Sequence, residues 1–435
     1  MNSTYFTNTE SAQIHNRGSC VLESTDNLIL DKRIVSRGMD ETSQPNKRAR
    51  INDLGIDTVL VSSSHEDKFG ATSVPIYQTA TFQQPDANSF GDYDYTRSGN
   101  PTRDALQNQI AILEGVEGAK SFSFTTGMAA ISTICKLVAA GEEVIVNDDS
   151  YGGTYRLVSK LLTRQGITVK YLNLAGVEGP TTLSAALTAA TRLVLIESPT
   201  NPMQRICNIA ALARVCHAGS HEVGTLLAVD NTMLSPILSR PLELGADIVM
   251  HSATKYICGH SDTMAGVVTV RPGIEKNGKT LAESIYFCQN AEGTALAPFD
   301  AWLVLRGLKT MSLRVYRQQE NAMQIARWLK AHPLVTSVLY AGLEDHPDFA
   351  IHRTQSSGAG AVLCFKTGNV ALSEHVVSVT KLYKITVSFG NVSSLISLPG
   401  RMSHASIPEE VRAARSFPED LIRLCVGKCS SLLFV

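Results

Sequence analysis

Short apolar runs and amphipathic stretches alternate along this chain from about residue 103 onward. Asp104–Leu113 has the spacing of a helix, and Ser121–Phe124 that of a short strand. Met128–Ala139, Thr154–Thr163, Leu183–Ala190 and Ile209–Ala218 continue the helical series. Between them lie the strand candidates Glu143–Val146, Thr168–Leu172, Leu193–Ile196 and Thr225–Val229, followed by Asp247–Met250 and Gly266–Val270. Such alternation predicts an α/β fold with a mainly parallel sheet covered by helices on both faces. After Pro298 a long helical stretch to about Leu329 predicts a passage into a smaller α+β unit, with strands at Ser337–Tyr340, Gly360–Phe365 and Ile385–Val387. On a parallel sheet, ligands bind beyond the carboxyl ends of the strands. Glu197, Asp230 and the loop from Ser252 to Lys255 all fall at that edge.

The first 55 or so residues break this pattern. They are polar and lack sustained periodicity, which predicts a disordered tail or a targeting segment. Glu10, Glu23, Asp26, Asp31, Asp40 and Glu41 fit a transit peptide poorly, since such peptides are poor in acids. Lys47-Arg48-Ala49-Arg50 reads as solvated charge in a flexible tail. These residues do not fix the compartment.

A length of 435 residues allows two or three domains and a large core. A net charge of −1 gives no electrostatic reason to expect nucleic acid or an anionic membrane surface. No apolar run approaches the length of a spanning helix. The 9 cysteines are odd in number and never spaced Cys-x-x-Cys, which points to buried thiols rather than a disulfide framework or a zinc site.

The chemistry concentrates in loops after strands. Lys255 stands in His251-Ser252-Ala253-Thr254-Lys255-Tyr256, and Asp230 closes the run Thr225–Val229. A loop lysine and a strand-end acid suit pyridoxal phosphate (PLP). The amine can condense with its aldehyde, and the carboxylate can hold its ring nitrogen protonated. Thr126-Gly127-Met128-Ala129 opens a helix, where free amides and a glycine can take a phosphate. In isolation that is an ordinary strand–helix turn. Ser252-x-Thr254 gains weight only from its neighbour Lys255. Ser150-Tyr151-Gly152-Gly153 reads locally as a turn, Glu197-Ser198-Pro199-Thr200-Asn201-Pro202 as a proline-stiffened loop, and Tyr95-Thr96-Arg97 as solvated loop. Arg423 lies inside the apolar run Leu421-Ile422-Arg423-Leu424, where it is either paired structurally or held for a substrate carboxylate.

Their order and spacing resemble the Cys/Met-metabolism family of PLP enzymes across about residues 57–427. The carrying motifs are Tyr-Thr-Arg-Ser-Gly-Asn-Pro-Thr, Thr-Gly-Met-Ala-Ala, Tyr-Gly-Gly-Thr, Glu-Ser-Pro-Thr-Asn-Pro, Val-Asp-Asn-Thr and His-Ser-Ala-Thr-Lys-Tyr. Ser235–Asp247, Gln289–Gly293 with Ala297–Asp300, Val387–Gly390 and Ser394–Pro399 with Met402–Pro408 are similar to the plant-type β-lyase branch. The γ-lyases carry Gly-Gly-Phe-Glu-Ser where this chain reads Gly390-Asn391-Val392-Ser393-Ser394.

The resemblance implies a PLP-dependent transferase-like fold (fold type I, aspartate aminotransferase-like). It divides the chain into an N-terminal segment 56–110 reaching a neighbouring subunit, a large PLP-binding domain 111–305 and a small C-terminal domain 306–435. It implies β-elimination of L-cystathionine. Cystathionine γ-lyase or γ-synthase, or a catalytically weak isoform acting as a non-catalytic oligomer, are the alternatives. By the same resemblance Lys255 carries the cofactor, Asp230 pairs with its ring nitrogen and Tyr151 stacks on the ring. Asn201 contacts the phenolic oxygen, while Gly127, Met128, Ser252 and Thr254 hold the phosphate. Tyr95 and Arg97 reach the phosphate of the neighbouring subunit, in a homotetramer built as a dimer of dimers. Arg423 holds the substrate α-carboxylate, with Ser388 and Ser394 as lesser candidates and Tyr151 facing the same substrate. The family continues beyond a strand like Ile422–Gly427 with an acidic segment and a final helix, whereas here Lys428 to Val435 follow. The atypical C-terminus is expected to weaken the packing of the small domain.

Overall fold

The computed structural model describes residues 55–62, 67–218, 224–276, 278–405 and 407–429. The expectations for residues 1–54 and for the last six residues lie outside the described part.

Seven strands make the larger sheet: β1 (Lys120–Phe124), β2 (Glu143–Asn147), β3 (Thr168–Leu172), β4 (Thr191–Glu197), β5 (Leu226–Asp230), β6 (Ile248–His251) and β7 (Gly266–Val270). Their spatial order is β1-β7-β6-β5-β4-β2-β3. Every pairing from β6 to β3 is parallel, and only β7 runs against its neighbours β1 and β6. The expected mainly parallel sheet is present.

Both faces are buried, and alternate residues divide between them. Val144, Val146, Leu193, Leu195, Ala228, Ile248 and Met250 join the core beneath the helices Gly127–Cys135 and Leu281–Glu292. Ile145, Val194, Ile196, Leu227 and Val229 join the opposite core with Ile209 and Leu212. By this alternation Asp230 shares a face with Ala228 and Met250, and Glu197 shares it with Leu195. Glu197 and Asp230 are also direct cross-strand partners.

Local chemistry sets the helix boundaries. Asn100 accepts hydrogen bonds from the amides of Thr102 (3.0 Å) and Arg103 (3.5 Å), and Pro101 occupies the first turn. The helix therefore runs Pro101–Leu113, three residues ahead of its apolar pattern. Pro180 similarly starts a helix at Gly179 that stops at Ala186, correcting the expected Leu183–Ala190. The long stretch after Pro298 is two helices, Pro298–Leu308 and Met311–Ala331.

A second, five-stranded sheet follows from Ser337–Leu339, Val362–Lys366, Leu421–Cys425, Leu395–Ser397 and Lys384–Ile385, in that spatial order. Arg423 sits on its central strand, paired with Cys364 on one side and Ser397 on the other.

Candidate active site

β2, β4, β5 and β6 run parallel, so the loops after Asn147, Glu197, Asp230 and His251 all emerge at one edge of the sheet. The loop after β1 emerges there too, because β1 and β6 are both antiparallel to β7. A cavity of about 390 Å³ opens at this edge and extends to the segment Val387–Phe389. Gly127, Met128, Tyr151, Asn201, Asp230, Ser252, Thr254, Lys255, Ser388 and Arg423 all line it. Sequence segments nearly 300 residues apart thus converge on one space, as expected from the motifs.

Thr126 opens the helix Gly127–Cys135, its hydroxyl accepting from the Ala129 amide at 3.0 Å. The amides of Gly127 and Met128 precede the first intrahelical bond and remain available as donors. A Cβ on Gly127 would stand 3.0 Å from Ser252 Cβ and 3.1 Å from its Oγ. The glycine therefore keeps the helix start and the Ser252 loop close. Glycine is also required at position 153, where a Cβ would come within 2.3 Å of the Tyr151 ring and 2.8 Å of Met128 Sδ. Tyr151 is thereby seated above the helix start, and its amide donates to Glu197 Oε2 at 3.0 Å.

Lys255 Nζ donates to Ser388 Oγ at 2.7 Å and lies 5.3 Å from the centre of the Phe389 ring. Burial, reinforced by the nearby Arg423 guanidinium, lowers the lysine to about 8; Asp230 pulls the other way. Asp230 accepts from the Thr232 amide (3.0 Å) and hydroxyl (2.5 Å) through Oδ1. Burial raises the acid, against those hydrogen bonds and the proximity of His251 and Lys255. Glu197 is raised well above the ordinary carboxylate range, by burial first and by Asp230 second.

Arg423 is 2 % exposed. It donates to Asn201 Oδ1 at 2.9 Å and to the Ser388 carbonyl at 3.1 Å. Both acceptors are neutral, which leaves the guanidinium charge available to an anion entering the cavity.

Three candidates lie elsewhere. Tyr95 and Arg97 are exposed and stack on each other at 5.1 Å, with Arg97 Nε donating to Asn290 at 3.2 Å. Ser394 is buried and its hydroxyl accepts from the Gly427 amide at 3.0 Å. The cavity also includes residues to which the sequence reading gave no role, among them Thr126, Arg156, Thr232, Phe389, Met402 and Ser403. Glu197 was placed at the strand edge without a role, although an acid closing a strand beside Asp230 was itself a readable signal.

The sequence profile described as "Cys/Met metabolism PLP-dependent enzyme" matches residues 57–429. Cystathionine beta-lyase, chloroplastic, of Arabidopsis thaliana is 50% identical over 423 residues, spanning 96% of this chain and 87% of that protein. The protein of the same name from Mimosa pudica is 52% identical over 401 residues, spanning 92% and 83%. Among solved structures, cystathionine gamma-lyase from Lactobacillus plantarum complexed with L-serine superimposes with a TM-score of 0.81 at 39% identity, covering 87% of this chain and 97% of that one.

Proposed function

This chain belongs to the Cys/Met metabolism PLP-dependent enzymes, and we propose from its site that it is a lyase cleaving L-cystathionine by β-elimination. The products are homocysteine, pyruvate and ammonia, with one water consumed. The observation carrying this reading is the convergence of Lys255, Asp230 and Arg423 on one cavity in a chain half-identical to two cystathionine β-lyases.

The residues present fit the cofactor. The cradle at Gly127, which a Cβ would crowd, offers helix-start amides to a phosphate, and a buried acid and a lysine of lowered basicity line the same space. When bound, PLP supplies a ring that withdraws the electron pair released at the substrate Cα. Lys255 would be the amine that carries the cofactor and would take the substrate Cα proton. Asp230 would keep the ring nitrogen protonated, and Tyr151 would cover the ring. Gly127, Met128, Ser252 and Thr254 would hold the phosphate. Arg423 is aimed to receive the substrate carboxylate, and Ser388 holds Lys255 and Arg423 in one register through its hydroxyl and its carbonyl.

We also infer a homotetramer built from dimers. Tyr95 and Arg97 are exposed and do not line their own cavity, which supports a role at the neighbouring subunit's phosphate. Residues 111–305 would form the PLP-binding domain and 306–435 the small domain. No helix among the described residues is long and apolar enough to cross a membrane. Two relatives named as chloroplastic support a plastid location.

Incubation with L-cystathionine followed by identification of the thiol and the oxo acid tests the reaction. Homocysteine with pyruvate is expected. Cysteine with 2-oxobutyrate would replace the β-lyase reading by a γ-lyase one.

The lysine provides a second test. Only the neutral amine can condense with an aldehyde. A pKa of about 8 makes roughly a quarter of the amine neutral at pH 7.5, against about 0.1% for an unshifted lysine. PLP capture by apoenzyme, followed by visible absorbance, is expected to rise with pH and level off above a midpoint near 8. A rate still climbing tenfold per pH unit at pH 9 would show that the site leaves Lys255 unperturbed.

A further inference from the structure

We propose that His404 is a positioning residue for substrate binding: it latches the segment 399–405 onto the loop after β4, fixing the Asn201 amide that aims Arg423. The inference rests on the reading above that Arg423 receives a carboxylate.

His404 is 1 % exposed and more than 200 residues from Asn201 in sequence. Its Nε2 lies 3.0 Å from the Asn201 carbonyl oxygen, and its Nδ1 lies 2.9 Å from Ser403 Oγ. A carbonyl can only accept, so Nε2 carries the hydrogen. In the neutral ring Nδ1 is then the acceptor, and the Ser403 hydroxyl donates to it. Burial, with Arg423 nearby, pushes protonation of the ring down to about 3, so this tautomer persists at neutral pH. Phe417 packs on the imidazole at 5.7 Å between ring centres.

Asn201 is thereby held at two points. Its backbone oxygen takes the His404 hydrogen bond, and its side-chain oxygen takes the Arg423 hydrogen bond at 2.9 Å. Arginine offers only donors, so the amide oxygen must face it and the amide NH₂ must face away. Arg423 continues the chain to the Ser388 carbonyl, and Ser388 Oγ accepts from Lys255 Nζ. The latch also seats the cavity wall. Ser403 lines the cavity, and its carbonyl lies 2.6 Å from where a Cβ on Gly152 would stand, next to Tyr151. Removing the Nε2 donor frees Asn201 to shift and lets the guanidinium turn from the cavity. The loss should appear in the binding of amino-acid carboxylates more than in turnover.

The test uses the PLP-loaded protein and two variants. In His404→Gln the longer amide reaches the Asn201 carbonyl. In His404→Asn the amide nitrogen stays near the position of Nδ1 and falls short of it. L-alanine, which has a carboxylate but no leaving group, is titrated through the visible band of the holoenzyme. Its dissociation constant is expected to rise about tenfold in His404→Asn and to stay within about twofold of wild type in His404→Gln. KM for L-cystathionine should follow the same order, with kcat changing by less than about threefold. Equal affinities in the two variants, whether both native or both weakened, would overturn the latch. L-alanine binding needs no elimination. Wild-type protein that binds L-alanine but releases no pyruvate from L-cystathionine would therefore refute the proposed reaction while leaving the latch to its own result.

Discussion

Replacing Lys255 by alanine is expected to lower pyruvate release from L-cystathionine by about two to four orders of magnitude, the range associated with loss of a positioned general base. Lys255 is the sole lysine among the residues lining the cavity. The other cationic side chains there, Arg156 and Arg423, are guanidiniums and offer no primary amine to an aldehyde. No nearby group can therefore take over both the covalent attachment and the proton transfer. The lysine is also tuned for the task, since burial and the Arg423 charge disfavour its protonated form. Two measurements separate chemistry from folding. Borohydride treatment followed by mass spectrometry should add the cofactor mass to the wild-type chain and not to Lys255→Ala. Thermal melting should show that the variant is folded. A folded variant releasing pyruvate at the native rate would remove Lys255 from the mechanism.

The parts of the site legible in the sequence were those lying on regular elements. Asp230 and Lys255 follow compact apolar runs that form β5 and β6, and the parallel arrangement brings such strand ends to one edge. Arg423 was visible as a charge inside an apolar strand, but its partners were not. They are an amide 222 residues away and a carbonyl 35 residues away, both neutral. Such separations have no local signature. The same holds for His404, whose motif was recognisable but whose contact crosses 203 positions. Ser394 shows the converse problem. Sequence proximity to Ser388 made it a candidate, yet its hydroxyl accepts from Gly427 N instead of lining the cavity. Helix starts failed for a different reason. Pro101 and Pro180 begin helices through their fixed φ, ahead of the apolar pattern from which the boundaries were read.

Replacing Asp230 by asparagine is expected to reduce kcat by about two to three orders of magnitude, comparable to losing one preorganised electrostatic contact at the reacting centre. Asparagine matches the carboxylate in shape, and its oxygen can still accept from the Thr232 amide and hydroxyl. The substitution therefore isolates the charge. Burial alone opposes a charged Asp230; the two Thr232 hydrogen bonds, together with His251 and Lys255, support it. The balance decides whether a carboxylate is present to keep the ring nitrogen protonated. Glu197 occupies the cross-strand position and cannot readily substitute, because its own burial and the neighbouring acid favour the neutral form. Substrate affinity should change less than turnover, since Arg423 is untouched. The check is steady-state kinetics at pH 7.5, with the cofactor content of each preparation measured by absorbance after alkaline release. If Asp230→Asn kept native kcat at full cofactor occupancy, the charge at position 230 would be dispensable, and the electron-withdrawing role assigned to the protonated ring would have to be abandoned.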